Sequence, residues 1–268
     1  MINTDHFSEF QALLNQNQAT FGKHRGQRIF ILGTGPSINK ENLSLLKDEV
    51  VIATNAFSQC PQFEEIAPQY YVTADPAYYI QDTEGGMFST FLKVIEKIRN
   101  IPTDIELFLP VTYAHHLKDF SGLENLDVRW FSYAQQFESL NNINFSQPLP
   151  NLGQSILNIA LMLALHLQAS EIYLVGVDHG GVVKTFGEIT DHFYGKHTPL
   201  DERARKYLSL SGLERSMFTH LNQLQILKRY FETNKLPVFT TSKDGSFKMF
   251  PYVRYGSLLK NSYTLNSD

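Results

Sequence analysis

Arg28-Ile29-Phe30-Ile31-Leu32-Gly33-Thr34-Gly35-Pro36-Ser37 decides the fold. A short apolar run rich in β-branched residues breaks into a glycine turn, then a proline and a serine suited to open a helix. The first strand and turn of a nucleotide-binding α/β sheet have this form. The two glycines let a backbone approach a phosphate or ribose, and Ser37 can cap the helix whose amide end faces the ligand. Far downstream, Ile172-Tyr173-Leu174-Val175-Gly176-Val177-Asp178-His179 repeats the form, ending in glycine, acid and imidazole. Neither run alternates with polar residues, as expected of strands covered on both faces.

Between and around these two runs, apolar stretches predict strands over Val50 to Thr54, Tyr70 to Thr73, Ile105 to Leu109, Val128 to Phe131 and Pro237 to Thr240. Pro110 is read as the stop of the fourth. Helices are predicted from near Ile38, over Phe88 to Ile98, over the strongly apolar Ser155 to Leu167, and over Leu213 to Asn234. Phe7 to Phe21 forms an amphipathic leader, with Phe7, Phe10, Leu13 and Leu14 on one side. Asn141 to Pro150 is a polar loop. Strands alternating with helices predict an α/β, Rossmann-like, mostly parallel sheet with helices on both faces and a lid segment. One domain over 1–268 is expected, with a helical leader (1–25), a lid-like insertion (180–210) and a C-terminal tail (243–268).

The chain has 268 residues, 43% of them hydrophobic, which supplies a sizeable core. A net charge of −4 argues against a general nucleic-acid binder, which needs a basic face. The single cysteine, Cys60, excludes an internal disulfide and a cysteine zinc site and reads as a buried thiol. No signal-peptide pattern is visible at the amino end, and Ile156 to Leu167 is too short to span a bilayer, so a cytoplasmic protein is expected. Peripheral association with a membrane and a homo-oligomeric state stay open.

In parallel sheets ligands sit beyond the carboxyl ends of the strands, so Thr34, Asn55, Asp75, Asp178 and His179 are expected to converge on one crevice. Gly33-Thr34-Gly35-Pro36-Ser37 is neither a Walker A loop nor the three-glycine dinucleotide fingerprint. Asn55 suits a base or ribose edge, or simply a turn. Asp75 suits a metal, a ribose or a capping amide. Gly153-Gln154-Ser155 offers amides and a hydroxyl to an anion, or caps the helix that follows. The 178–197 segment gathers His179, His192 and His197 with Asp178 and Asp191, a set fit for acid–base work or for a metal. His192 or His197 can take a proton from a sugar hydroxyl, while Tyr194 and Lys196 can hold a leaving phosphate. His115-His116 reads as surface.

Together, the glycine turn, the strand ending at Asn55, Asp75, the helix from Gly153 to Leu167 and the Ile172–Asp178 run resemble the bacterial Rossmann-like sialyltransferases that use CMP-sialic acid. They are also similar to the MptE-like family, which includes hydroxymethylpterin pyrophosphokinases and motility-associated flagellin glycosylation proteins. The resemblance covers roughly residues 28 to 242. It implies that Gly33, Thr34, Gly35, Ser37 and Asn55 hold a CMP moiety, that Asp75 contacts the donor, and that Gly153, Gln154 and Ser155 form the turn before the apolar helix. It also implies that a lid histidine acts as base; an extra residue after Gly195 places His197 one position late, which leaves that assignment split between His197 and His192. Thr34 stands where the sialyltransferases carry Asn, no arginine precedes Gly153, and His179-Gly180 replaces a tyrosine. The implied donor is therefore a CMP-linked or other nucleotide-activated sugar, with a glycan acceptor in surface polysaccharide or glycoprotein synthesis and no required cofactor. Two alternatives stand beside it. One is a pterin pyrophosphokinase using ATP and Mg²⁺, with Asp75 and Asp178 as ligands. The other is a non-catalytic sugar-nucleotide-binding protein.

Overall fold

The computed structural model describes residues 4–79, 88–117, 120–134, 140, 143–153, 155–178, 210–243, 245 and 248–259, with the side chains of 4–8 and 210–217 left aside. Among these, seven strands form one sheet: β1 (Arg28–Leu32), β2 (Val50–Thr54), β3 (Tyr70–Val72), β4 (Glu106–Pro110), β5 (Asp127–Phe131), β6 (Glu171–Val175) and β7 (Val238–Thr240). Their order is β5-β4-β3-β2-β1-β6-β7, and every pairing is parallel. The chain runs outward from β1 to β5, then returns to lay β6 on the other side of β1. That reversal is the topological switch point of a doubly wound α/β sheet.

The helices are α1 (Thr4–Asn15), α2 (Phe63–Ile66), α3 (Phe88–Arg99), α4 (Ala114–Leu117), α5 (Ile156–His166), α6 (Leu210–Thr233) and α7 (Tyr255–Leu258). Strand side chains alternate between two cores. Phe30, Leu32, Val51, Tyr71 and Leu107 face α3 and the short helical turns. Ile29, Ile31, Ile52, Val72 and Leu174 face α5 and α6. Helix α5 has almost no polar face because it lies between β1–β3 on one side and α6 on the other.

Two expectations change. No long helix follows β1. Two 3₁₀ turns stand there, Pro36–Lys40 and Leu43–Leu46, because Pro36-Ser37-Ile38-Asn39-Lys40-Glu41-Asn42 lacks a continuous apolar stripe. Pro110 is the last residue of β4 rather than its stop, a place where the missing N–H costs no ladder bond. The leader packs on the sheet. It is α1 and a 3₁₀ turn (Gln16–Ala19) packed on edge strand β5, where the Asn17 amide donates to the carbonyls of Trp130 (2.6 Å) and Phe145 (2.9 Å). It thereby covers an edge that would otherwise present unpaired backbone. The opposite edge, β7, is covered by the 251–253 backbone, with Thr240 N donating to Pro251 O and Val253 N to Thr240 O. The tail folds back through α7, whose Tyr255 is buried and donates to Asn42 O. The proposed lid, 180–210, lies outside the described residues apart from its last position. Cys60 is buried, and no helix among the described residues is long and apolar enough to cross a membrane.

Candidate functional site

At the switch point the turns after β1 and β6 press directly on each other. Gly33 N donates to Val175 O (2.8 Å) and Gly35 N to Gly176 O (2.7 Å). A Cβ on Gly33 would lie 2.5 Å from Gly176 O. One on Gly35 would lie 2.6 Å from that same oxygen and 2.6 Å from the Asp178 carboxylate. Both glycines are therefore required by the close approach of a neighbouring loop of the same chain, whatever else binds there. Gly176 itself takes a left-handed φ of 69°, which glycine adopts without the steric cost a Cβ would bring.

The carboxylate of Asp178 occupies the amide end of the Pro36–Lys40 turn. It accepts the Ser37 N–H (2.7 Å), the Ser37 hydroxyl (2.5 Å) and the Ser242 hydroxyl (2.6 Å). Three loops, after β1, β6 and β7, are thus tied by one acid. The expectation that Ser37 caps a helix pointing at a ligand is corrected: its hydroxyl serves Asp178, and the anion position at that turn is filled from within. Ser242, unread in the sequence, sits just beyond a strand end, the same rule that selected Asn55 and Asp75.

Asn55, after β2, has a left-handed backbone (φ 49°). Its N–H donates to Val72 O (3.0 Å) and its carbonyl accepts the buried Tyr71 hydroxyl (2.5 Å), which also accepts the Ser58 N–H. Its backbone is held on both sides, yet its Oδ1 is buried and has no partner among the described residues. Asp75, after β3, caps a short turn through Ala77 N (2.9 Å). Nearby, Tyr79 hydrogen-bonds Thr73, and its ring stacks on Tyr113 at 4.4 Å. Burial raises the Tyr79 hydroxyl well above its ordinary pKa, and the charge of Asp75 adds to the rise. The same two causes, in the same order, raise Tyr113.

Ser155 caps α5, its hydroxyl accepting the Leu157 N–H (3.3 Å). Gly153 lies against the ring of Tyr133, a residue that local sequence does not mark. Thr34 sits half-buried between its glycines. Gln154, His179, His192, Tyr194, Lys196 and His197 lie outside the described residues. Asp75 and Asp178 follow β3 and β6, strands that are three spacings apart in the sheet, roughly 14 Å.

A wholly parallel sheet with a switch point between β1 and β6, and polar side chains gathered beyond its strand ends, defines a Rossmann-like α/β protein. Within that class the family is also shown: residues 3–183 match the family described as 6-hydroxymethylpterin diphosphokinase MptE-like, and the chain belongs to it. No protein of curated function matches. Two solved structures of the sialyltransferase CstII from Campylobacter jejuni are distantly similar, one in complex with the substrate analogue cytidine-5'-monophosphate and one with CMP-3FNeuAc. Each covers 85% of both chains at a TM-score of 0.46, with 15% and 16% identity respectively.

Proposed function

We propose that this chain is a transferase that binds a nucleotide over the carboxyl ends of β1–β3 and uses a nucleotide-activated, CMP-linked sugar. The acceptor is a glycan of a surface polysaccharide or glycoprotein. The supporting observation is Asn55: a residue with its backbone tied in a left-handed turn, beside the switch point, holding a buried and unbonded carbonyl oxygen. Leaving such an atom unpaired is costly unless a ligand supplies the partner. In the reaction, His192 or His197 takes the acceptor hydroxyl proton, the freed oxygen bonds to the sugar's anomeric carbon, and the bond from that carbon to the phosphate breaks. The nucleotide leaves with the electron pair, held by Tyr194 and Lys196.

Titration calorimetry with CMP, UDP, GDP and ATP, with and without Mg²⁺, tests the reading. CMP should bind without metal. Asn55→Ala should weaken binding, and Asn55→Gly, which keeps the left-handed turn at no steric cost, should weaken it without loss of stability. A chain that binds none of the four is not a nucleotide-using transferase. A second reading, a pyrophosphokinase acting on a hydroxymethylpterin with Mg-ATP, is favoured by the family description. Tight binding of ATP only with Mg²⁺, together with AMP release when the pterin is added, would select it. Nucleotide binding without turnover of either kind would mark a binding protein.

A further inference from the structure

Tyr133 stands two residues beyond β5, between Phe131 at 5.7 Å ring separation and the turn that opens α5. Its hydroxyl is out of contact with solvent and has no hydrogen-bond partner among the described residues. Burial raises its pKa far above that of a free tyrosine, so it stays an O–H donor at any physiological pH. The phenol lies so close to Gly153 that a Cβ there would fall 2.1 Å from the hydroxyl oxygen and 2.2 Å from Cζ. Gly153 is thus a glycine that admits a ring. On the same segment the Asn158 side chain, fully buried, donates to Leu152 O (2.8 Å) while its Oδ1 has no partner among the described residues. For packing alone a phenylalanine at 133 would serve better, since it would fill the same space without a stranded polar atom.

We propose that the Tyr133 hydroxyl is a ligand-binding group. It donates a hydrogen bond to an uncharged oxygen of a bound nucleoside, a ribose hydroxyl or a base carbonyl, and Gly153 makes room for it. The proposal rests on the nucleotide reading above. An uncharged oxygen is specified because burial alone raises the Tyr133 pKa, so the surroundings of the hydroxyl disfavour a charge brought there.

Tyr133→Phe separates the possibilities, with cytidine and CMP as probes. Ligand-free Tyr133→Phe should melt at the same temperature as the parent or higher. Its affinities for cytidine and for CMP should both fall, each by about tenfold, the worth of one hydrogen bond. Gly153→Ala, which displaces the phenol, should weaken both probes as well. A ligand-free melting temperature several degrees lower in Tyr133→Phe would show the hydroxyl to be structural and overturn the proposal. Unchanged affinity for both probes in that variant, with the parent binding them, would overturn it while leaving the nucleotide reading intact. If the parent binds neither probe nor ATP, the nucleotide reading fails and takes the proposal with it.

Discussion

At the carboxyl end of α5, His166 is fully buried and both ring nitrogens are bonded: Nδ1 accepts the Phe145 N–H (3.2 Å), and Nε2 donates to Thr20 Oγ1 (2.8 Å). At the amino end of the same helix, Asn158 is equally buried, but among the described residues its Oδ1 has no partner, nor has the hydroxyl of Tyr133 beside the preceding turn. One end meets the leader at the back of the sheet; the other meets the crevice edge. Both ends carry polar groups that the apolar helix does not need for packing. Where those groups are saturated they hold the chain together, and where they are left open they are available to something else. The same division runs along the crevice edge itself. Asp178 at the switch point is saturated by three donors, while Asn55 one strand beyond β1 is not.

The sharpest way to break this contrast is to remove the saturated group. His166→Ala should cost about 3–4 kcal/mol in urea denaturation, from the cavity and from the stranded Phe145 N–H. A cost below about 1 kcal/mol would mean that the two ends of α5 do not differ. Acid should nearly match it. Burial lowers the His166 pKa to about 4 from an ordinary 6.5. Below pH 6.5 the unfolded chain takes up a proton that the native chain refuses until about pH 4. Stability should therefore be complete above pH 6.5 and fall across that window, by about 3 kcal/mol from this group. Unfolding curves at pH 7, 5.5 and 4 measure the slope, which His166→Leu should abolish.

Asp178→Ala comes next, at about 2–3 kcal/mol, since it strands an N–H and two hydroxyls in partly buried surroundings. Chemical denaturation checks it, and an unchanged midpoint would show that the three loops hold without their acid. The smallest effect is expected at the open end. Asn158→Leu loses the bond to Leu152 O but also removes an unsatisfied oxygen, so stability should move by less than about 1 kcal/mol. A larger loss would place Asn158 among the saturated, structural groups.

The strands were legible because a strand covered on both faces has to be an unbroken apolar run, and β1, β2, β3 and β6 fall within a residue or two of their sequence readings. The region after β1 was not, since a proline in a helix-like position does not distinguish a 3₁₀ turn from a helix when the apolar stripe is weak. Gly33 and Gly35 were rightly read as points of close approach, but what approaches is the β6 turn, and local sequence says nothing about which partner folding brings. Tyr133 carried no local mark at all. Its meaning comes from Gly153, twenty positions away, and from atoms left unbonded in three dimensions. Asn17, Thr20 and Lys23 were invisible for the same reason: the partners that make the leader part of the sheet lie 83 to 146 residues off, apart from local turn bonds.

The strand order also sets a timetable. Strand β1 pairs with β6 in register from Arg28 with Glu171, so its second neighbour is made about 140 residues later. At roughly 5–20 residues per second on a ribosome, that interval lasts on the order of ten seconds. Throughout it, β1 is the outer strand of a half-built sheet, offering the apolar Ile29-Phe30-Ile31-Leu32 backbone to any other extended chain. The segment whose glycine turn forms the switch point is thus also the one most in need of protection while the chain is being born.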